Sequence, residues 1–325
     1  MVRAQRQLFV FFGASAIVAF LASPLKVLGT NLSPEQLVSA IPTSTPQINL
    51  LQAVVLGLVQ GLTEFLPISS TGHLKVVSVV LGWGAPDTAF TAILELGSIA
   101  AVLWYFWQDV VQLTVGAIKA VQASNYQSYA LRILLGIALG TLPIVFFGLL
   151  VKTLIPDFDR SPLRSLGVIA VASIVMALLL GLAEKLGKRR RNFDALGIRD
   201  GVLMGLAQAA AIIPGVSRSG STLTAGLFMG LERATAARFS FLLAIPAITL
   251  TGLVELADVF QQGLEATQLV SLMAGFISSA ILSYVAIDWL LRYLQTQSTW
   301  IFVWYRLAFG AAILSAIAAG VLRNT

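Results

Sequence analysis

The chain has 325 residues, of which 57% are hydrophobic and only 11% charged, and its mean hydropathy is +0.87. A soluble domain dresses its surface with about a quarter charged residues, so a water-facing globule is excluded and the chain must face lipid. The formal charge of +6 does not point to nucleic acid. Lys185, Lys188, Arg189, Arg190 and Arg191 crowd one short loop between apolar segments, the mark of a cytoplasmic loop. Cysteine is absent, which excludes disulfides and thiolate metal sites.

Arg3 and Arg6 precede an apolar run over residues 8–28, followed by a polar stretch holding Pro34, Pro42 and Pro46. This reads as a cleaved signal peptide or an uncleaved anchor, and the length of the run favours the anchor. Residues 1–48 are therefore set apart from a membrane domain over 49–325. Residues 50–66 and 70–82 form two helical pieces broken at Pro67, Ser69, Ser70 and Thr71. Full-length spans are expected at 88–107, 131–151 and 163–183, each close to the ~20 residues that cross a hydrocarbon core of about 30 Å. Beyond the basic loop, 198–213 and 219–230 are again short pieces, broken at Pro214, Gly215, Ser217, Arg218 and Ser219. Spans at 235–257, 269–291 and 300–322 complete the chain. No strand alternation is present, so the spans are helices.

The two broken regions align at one constant shift. Gly57, Leu58, Gln60, Ser69, Thr71 and Gly72 fall on Gly205, Leu206, Gln208, Ser217, Ser219 and Gly220. Three expected spans separate the breaks, an odd number, so two re-entrant hairpins would open to opposite sides. The expected fold class is an all-α polytopic membrane protein with inverted-topology repeats, approximately 49–183 and 198–322, and two re-entrant helical hairpins. With the basic loop in the cytoplasm, Arg233, Arg238 and Arg292 also lie inside, and the acidic connection Glu255, Asp258 and Glu265 lies outside. The first hairpin then opens to the extracytoplasmic side.

Chemistry concentrates at the breaks. Gln60 and Glu64 share one helix face, and a carboxylate in apolar sequence demands a cation, a metal or water. Ser69, Ser70 and Thr71 open the next piece, where hydroxyls and free N–H groups make an anion site. His73, the single histidine, follows Ser70 by three residues, a spacing suited to acid–base work on that hydroxyl or on a phosphate. In the second break Gly215 and Gly220 permit close backbone approach, and Ser217, Ser219, Ser221 and Thr222 bring hydroxyls. Arg218 suits bidentate phosphate binding. Its plainer reading is a structural pair with Glu64, which equally requires the two hairpins to meet. Together these are the parts of phosphoryl transfer. A carboxylate beside phosphates also suggests Mg²⁺ or Ca²⁺. Nucleotide-binding glycine motifs are absent, so the phosphate donor is expected to be a lipid.

The segments QGLTEFLPISSTGH at 60–73 and PGVSRSGST at 214–222 closely resemble the two signature segments of the undecaprenyl-diphosphatase family, the bacitracin-resistance proteins of BacA type. The resemblance covers residues 49–322. It implies a multi-pass enzyme of the bacterial inner membrane, with its site facing the periplasm. That enzyme would hydrolyse undecaprenyl diphosphate to undecaprenyl phosphate, recycling the carrier for peptidoglycan and conferring bacitracin resistance. It also implies catalytic roles for Glu64, Ser70, His73 and Arg218, and substrate contacts from Ser69, Thr71, Ser217, Ser219 and Thr222. The divalent cation would be held by Glu64 and Gln60; the family places glutamate or glutamine at the latter position. Ser70 as nucleophile and a water activated by His73 both stay open. The expected partners are undecaprenyl diphosphate and the bilayer, without nucleic acid, and a homodimer is one assembly left open. A transporter is the rival class, since inverted repeats with broken helices serve alternating access. The Glu64 and His73 pair, unnecessary at a passive anion site, favours an enzyme.

Overall fold

The computed structural model describes residues 48–84, 88–155, 158, 161–262 and 269–324. The N-terminal anchor or signal segment and its linker lie outside the described residues, as does Glu265 of the acidic connection. Asn49–Thr325 forms one compact unit. Eleven α-helices are found among the described residues, without a named strand. The first broken region gives α1 (Leu50–Phe65) and α2 (Ser70–Val80). Then follow α3 (Thr88–Tyr105), α4 (Trp107–Gln122), α5 (Tyr129–Leu154) and α6 (Leu166–Leu186). The second broken region gives α7 (Ile198–Ala209) and α8 (Arg218–Phe228). The chain continues as α9 (Arg233–Gln262), α10 (Leu269–Thr296) and α11 (Trp300–Ala318).

Local chemistry explains the boundaries. Asn49 and Gln52 form a reciprocal capping box at the start of α1, with bonds of 2.9 and 3.0 Å. Pro67 supplies no N–H, so α1 cannot run on into α2. Five helices (α5, α6, α9, α10 and α11) are long and apolar enough to cross a membrane, and α3 joins them only together with α4, at a 66° bend. The protein is thus an all-α polytopic membrane protein. Helix α4 lies in sequence left without an element, because Gln108, Asp109, Gln112 and Lys119 interrupt its apolar residues. It buries Leu113, Ala117 and Ala120 on one face.

Packing follows a reciprocal pattern. Helix α1 packs chiefly on α10 and α7 on α5, while α3 packs on α10 and α9 on α5. Helix α3 also packs on α9, and α6 on α11. Small residues permit the closest of these approaches, as expected where lipid gives no hydrophobic drive. A Cβ on Gly57 would strike Ser278 and the Gly275 carbonyl of α10, and one on Gly205 would strike the Gly140 backbone of α5. Between α3 and α10, Ser279 Oγ donates to Leu94 O at 2.7 Å and Ser283 Oγ to Ser98 Oγ at 2.9 Å. Outward faces carry large apolar side chains, such as Ile277, Ile281 and Val285 along α10, which suit a lipid surface.

The basic loop is partly structural. Arg191 bonds both oxygens of Asp200 at 2.8 Å, and this carboxylate holds its guanidinium pKa above the ordinary value. Arg189 bonds Glu184 at 2.7 Å.

Gly205→Val should cost at least the ~1–3 kcal/mol typical of overpacking, lowering the unfolding temperature in detergent. Gly148→Ala, with nothing within 4 Å of the added Cβ, should leave that temperature unchanged or raised.

Candidate active site

Both breaks turn on a serine in a conformation that non-glycine residues seldom adopt. Ser69 has φ 75° and ψ 99°, and Ser217 has φ 72° and ψ 119°. Each is the N-cap of the following helix, α2 or α8. Ser217 Oγ accepts the Gly220 N–H at 3.1 Å, whereas the Ser69 hydroxyl makes no capping bond. The two breaks meet. Ser69, Ser70 and Thr71 from the first, and Gly215, Ser217 and Arg218 from the second, line one partly open cavity of about 150 Å³. Glu64, Glu95, Ile144, Ile248 and Thr251 line it as well. Two helix N-termini therefore present first-turn N–H groups and hydroxyls to one space, an arrangement that favours an anion.

Glu64 is the hub. Its Oε2 accepts from Gln60 Nε2 at 2.9 Å and from Ser70 Oγ at 2.6 Å, and its Oε1 pairs with Arg218 Nη2. Side-chain exposure is 9% for Glu64 and 16% for Arg218, enough for a ligand to reach both. The pair anticipated as the plainer reading of Arg218 is thus present, and it lies inside the cavity. Gln60 is buried and absent from the lining. Its amide orients Glu64.

Other predicted residues are turned elsewhere. His73 does not line the cavity. Its ring stacks on Phe309 at 4.3 Å, Nδ1 is 2.7 Å from Ser69 O, and Nε2 is 2.6 Å from the Tyr305 hydroxyl. A carbonyl only accepts, so Nδ1 carries the proton, and in the neutral ring Nε2 accepts from Tyr305. Sequence spacing of three from Ser70 put His73 on the right helix, but the aromatic wall of α11 draws the ring away from that hydroxyl. Ser219, Ser221 and Thr222, also outside the lining, are buried and must find partners within the protein. Ser219 Oγ donates to Leu66 O at 2.9 Å; Ser221 and Thr222 donate to Arg218 O at 3.0 and 2.8 Å. These bonds fasten the breaks.

Two residues escaped the sequence reading. Glu95 of α3 lines the cavity, and Arg306 of α11, 1% exposed, binds carbonyls of both breaks. The signal was available, since an ionisable residue inside an apolar span is a site candidate by default. Neither stands in a motif-like cluster of the kind that surrounds Glu64 and Arg218. For a hard divalent cation, Glu64 and Glu95 supply two carboxylates to one cavity, and such ions often take one or two carboxylates plus substrate phosphates. The donor set fits on those terms. Among the described residues no three His, Asp or Glu side chains converge to hold a metal unaided.

Fold and site together define a polytopic membrane protein with a hydroxyl- and carboxylate-lined cavity between two broken helices. The family model described as bacitracin resistance protein BacA matches residues 53–312. A protein of Trichormus variabilis named undecaprenyl-diphosphatase is 63% identical over 322 residues, 99% of each chain. Proteins of the same name are 62% identical in Nostoc sp., over 99% of each chain, and 54% identical in Gloeobacter violaceus, over 85% of this chain and 94% of that one. The chain belongs to the bacitracin resistance protein BacA family.

Tyr305→Phe removes the donor to His73 Nε2 inside the protein, and a buried acceptor left alone costs about 1–3 kcal/mol. Denaturant titration in detergent should read a loss of that size.

Proposed function

We propose that this chain is an undecaprenyl-diphosphatase that cleaves the terminal phosphate from undecaprenyl diphosphate in the cavity between the two breaks. The observation that carries the reading is the convergence of Glu64, Ser70 and Arg218 beneath two helix N-termini. Very similar proteins bearing that name support it. The diphosphate takes Arg218 in exchange for Glu64 Oε1, since a guanidinium fork serves phosphate at least as well as carboxylate. Ser69, Thr71, Ser217 and the first-turn N–H groups hold the remaining oxygens. Glu64, released from Arg218, accepts the Ser70 proton across the existing 2.6 Å bond.

Ser70 Oγ then attacks the terminal phosphorus. The Oγ–P bond forms, the bond from that phosphorus to the bridging oxygen breaks, and undecaprenyl phosphate leaves with the electron pair. Water next attacks the phosphoserine and the Oγ–P bond breaks; Glu64, having given its first proton to the departing undecaprenyl phosphate, takes the water proton and passes it to Ser70 Oγ as inorganic phosphate is released. Positioning and charge stabilisation carry most of the catalysis in such loose transition states. Glu64 and Glu95 would hold a Mg²⁺ or Ca²⁺ ion, which when bound neutralises phosphate charge. Gln60 keeps Glu64 oriented.

The charges support one orientation: with the Lys185–Arg191 loop in the cytoplasm, the cavity would open to the periplasmic side of the bacterial inner membrane. The reciprocal helix contacts and the matched conformations of Ser69 and Ser217 support inverted repeats over about 49–183 and 198–322. Recycling the lipid carrier on that face sustains peptidoglycan synthesis and gives bacitracin resistance.

Arg218→Ala should lower kcat/KM for prenyl diphosphates by about 10²–10³-fold, the scale of one lost transition-state donor. Phosphate release by purified protein reads it, and normal release would end the assignment. Rapid quench with substrate labelled in the terminal phosphate should trap label on Ser70 and none on Ser70→Ala. Unlabelled protein during turnover would move the attack to a water. Chelation should stop release, and added Mg²⁺ or Ca²⁺ should restore it; full activity in chelator removes the cation.

A further inference from the structure

Arg306 is the largest side chain among the nearly solvent-free residues, yet α11 contributes nothing to the cavity lining. Its guanidinium spans both breaks. Nη1 donates to Pro67 O at 3.0 Å, and Nη2 donates to Gly215 O at 2.7 Å and Val216 O at 3.1 Å. Nε donates to Ser173 O of α6 at 3.2 Å. Every acceptor is a neutral carbonyl, and among the described residues no carboxylate pairs with this arginine. The residue stays protonated, so a full positive charge is buried without a counter-ion.

Its placement relative to the site is specific. Pro67 comes two residues before Ser69, and Gly215 and Val216 directly precede Ser217. Arg306 thus grips the peptide groups that lead into both N-caps. Gly220, in the first turn of α8, has no side chain, and a Cβ there would lie 3.1 Å from Arg306 Nη1. The charge therefore lies against the first turn of α8, although Arg306 itself is not among the residues that line the cavity. Carbonyls alone do not call for a cation: an amide or a water would satisfy them, and a buried charge without a partner is the costlier choice. The excess charge has a use where an anion must be held nearby.

We infer that Arg306 is a positioning residue for the diphosphate: it fixes the two opposed helix N-termini and adds an unneutralised positive charge behind them. This rests on the reading that the diphosphate binds between those termini. Two variants separate charge from shape. Arg306→Lys keeps the charge but loses the fork, and Arg306→Gln keeps hydrogen bonding but loses the charge. In purified protein, the inhibition constant of inorganic pyrophosphate should weaken by roughly tenfold in Arg306→Gln, the scale of one unit charge about 10 Å away at a protein-like dielectric. Arg306→Lys should retain most of that affinity while its kcat falls, because the termini are no longer fixed. Equal weakening in both variants, an unchanged constant in Arg306→Gln, or failure of both to fold would overturn the inference, leaving Arg306 a purely structural residue. Arg218→Ala is run alongside. If Arg218→Ala keeps both pyrophosphate inhibition and phosphate release, the site reading itself falls; if it loses them while Arg306→Gln is normal, only the inference about Arg306 falls.

Discussion

A helix broken inside an apolar slab leaves carbonyls and amides with no water to turn to, and each one unmet costs several kcal/mol. That constraint governs the centre of this protein, which contains two such breaks. Several of the carbonyls are met from the protein itself. Leu66 O receives Ser219 Oγ, Pro67 O receives Arg306, and Ser69 O receives the His73 ring. Gly215 O and Val216 O receive Arg306, and Ser217 O receives the Ser221 amide. Most donors belong to the opposite break or to α11, so neither hairpin can hold its conformation alone. The rare φ values of Ser69 and Ser217 persist because these bonds over-determine them.

The same accounting divides the breaks into two faces. Their carbonyls are consumed by Arg306, His73 and Ser219, so the groups left over for the cavity are donors: the first-turn N–H groups, Ser69, Ser70, Thr71 and Arg218. A donor-lined cavity is thus the complement of a solved packing problem, and of the two carboxylates that line it Glu64 is held by Arg218. In the resting protein that carboxylate stands where a phosphate oxygen would be bound. It keeps Arg218 from being an isolated charge in a low-dielectric region, and it already touches Ser70. On the proposed mechanism, substrate binding and release of Glu64 would be one exchange of anions at the guanidinium.

Sequence made the frame of this legible. Composition alone gave lipid-facing helices, the prolines and serines located both breaks within a few residues, and the matched spacing of Gly57, Ser69 and Gly72 with Gly205, Ser217 and Gly220 predicted their kinship. The Glu64–Arg218 meeting was the plainer of two readings of Arg218, the other being phosphate binding. What failed was direction. His73, Ser219 and Thr222 lie at the expected places along the chain, but which way a side chain points depends on what packs against it from far away. Tyr305 and Phe309 capture the imidazole, and Ser240 and the Arg218 carbonyl capture Thr222. Arg306 and Glu95 were missed for a different reason: each is a single charge in an otherwise ordinary span, with no local pattern around it.

Glu184 shows why surroundings rather than residue type assign a buried carboxylate its role. At the end of α6 it accepts from Arg233 Nε at 3.0 Å, from Arg189 Nη1 at 2.7 Å, and from the N–H and hydroxyl of Thr299, the N-cap of α11, at 3.3 and 2.8 Å. Two arginines and two fixed neutral donors leave it no bond to exchange, so it ties α6, α9 and α11 together. Glu64 has one arginine, one serine and one amide, and it faces a cavity lined with further donors. On the proposed mechanism an incoming phosphate would replace it on Arg218, the other donors would receive the phosphate, and Ser70 and Gln60 would still hold the carboxylate by hydrogen bonds. Removing a partner from Glu184 would strand a charge, whereas the Glu64 pair is built to be opened.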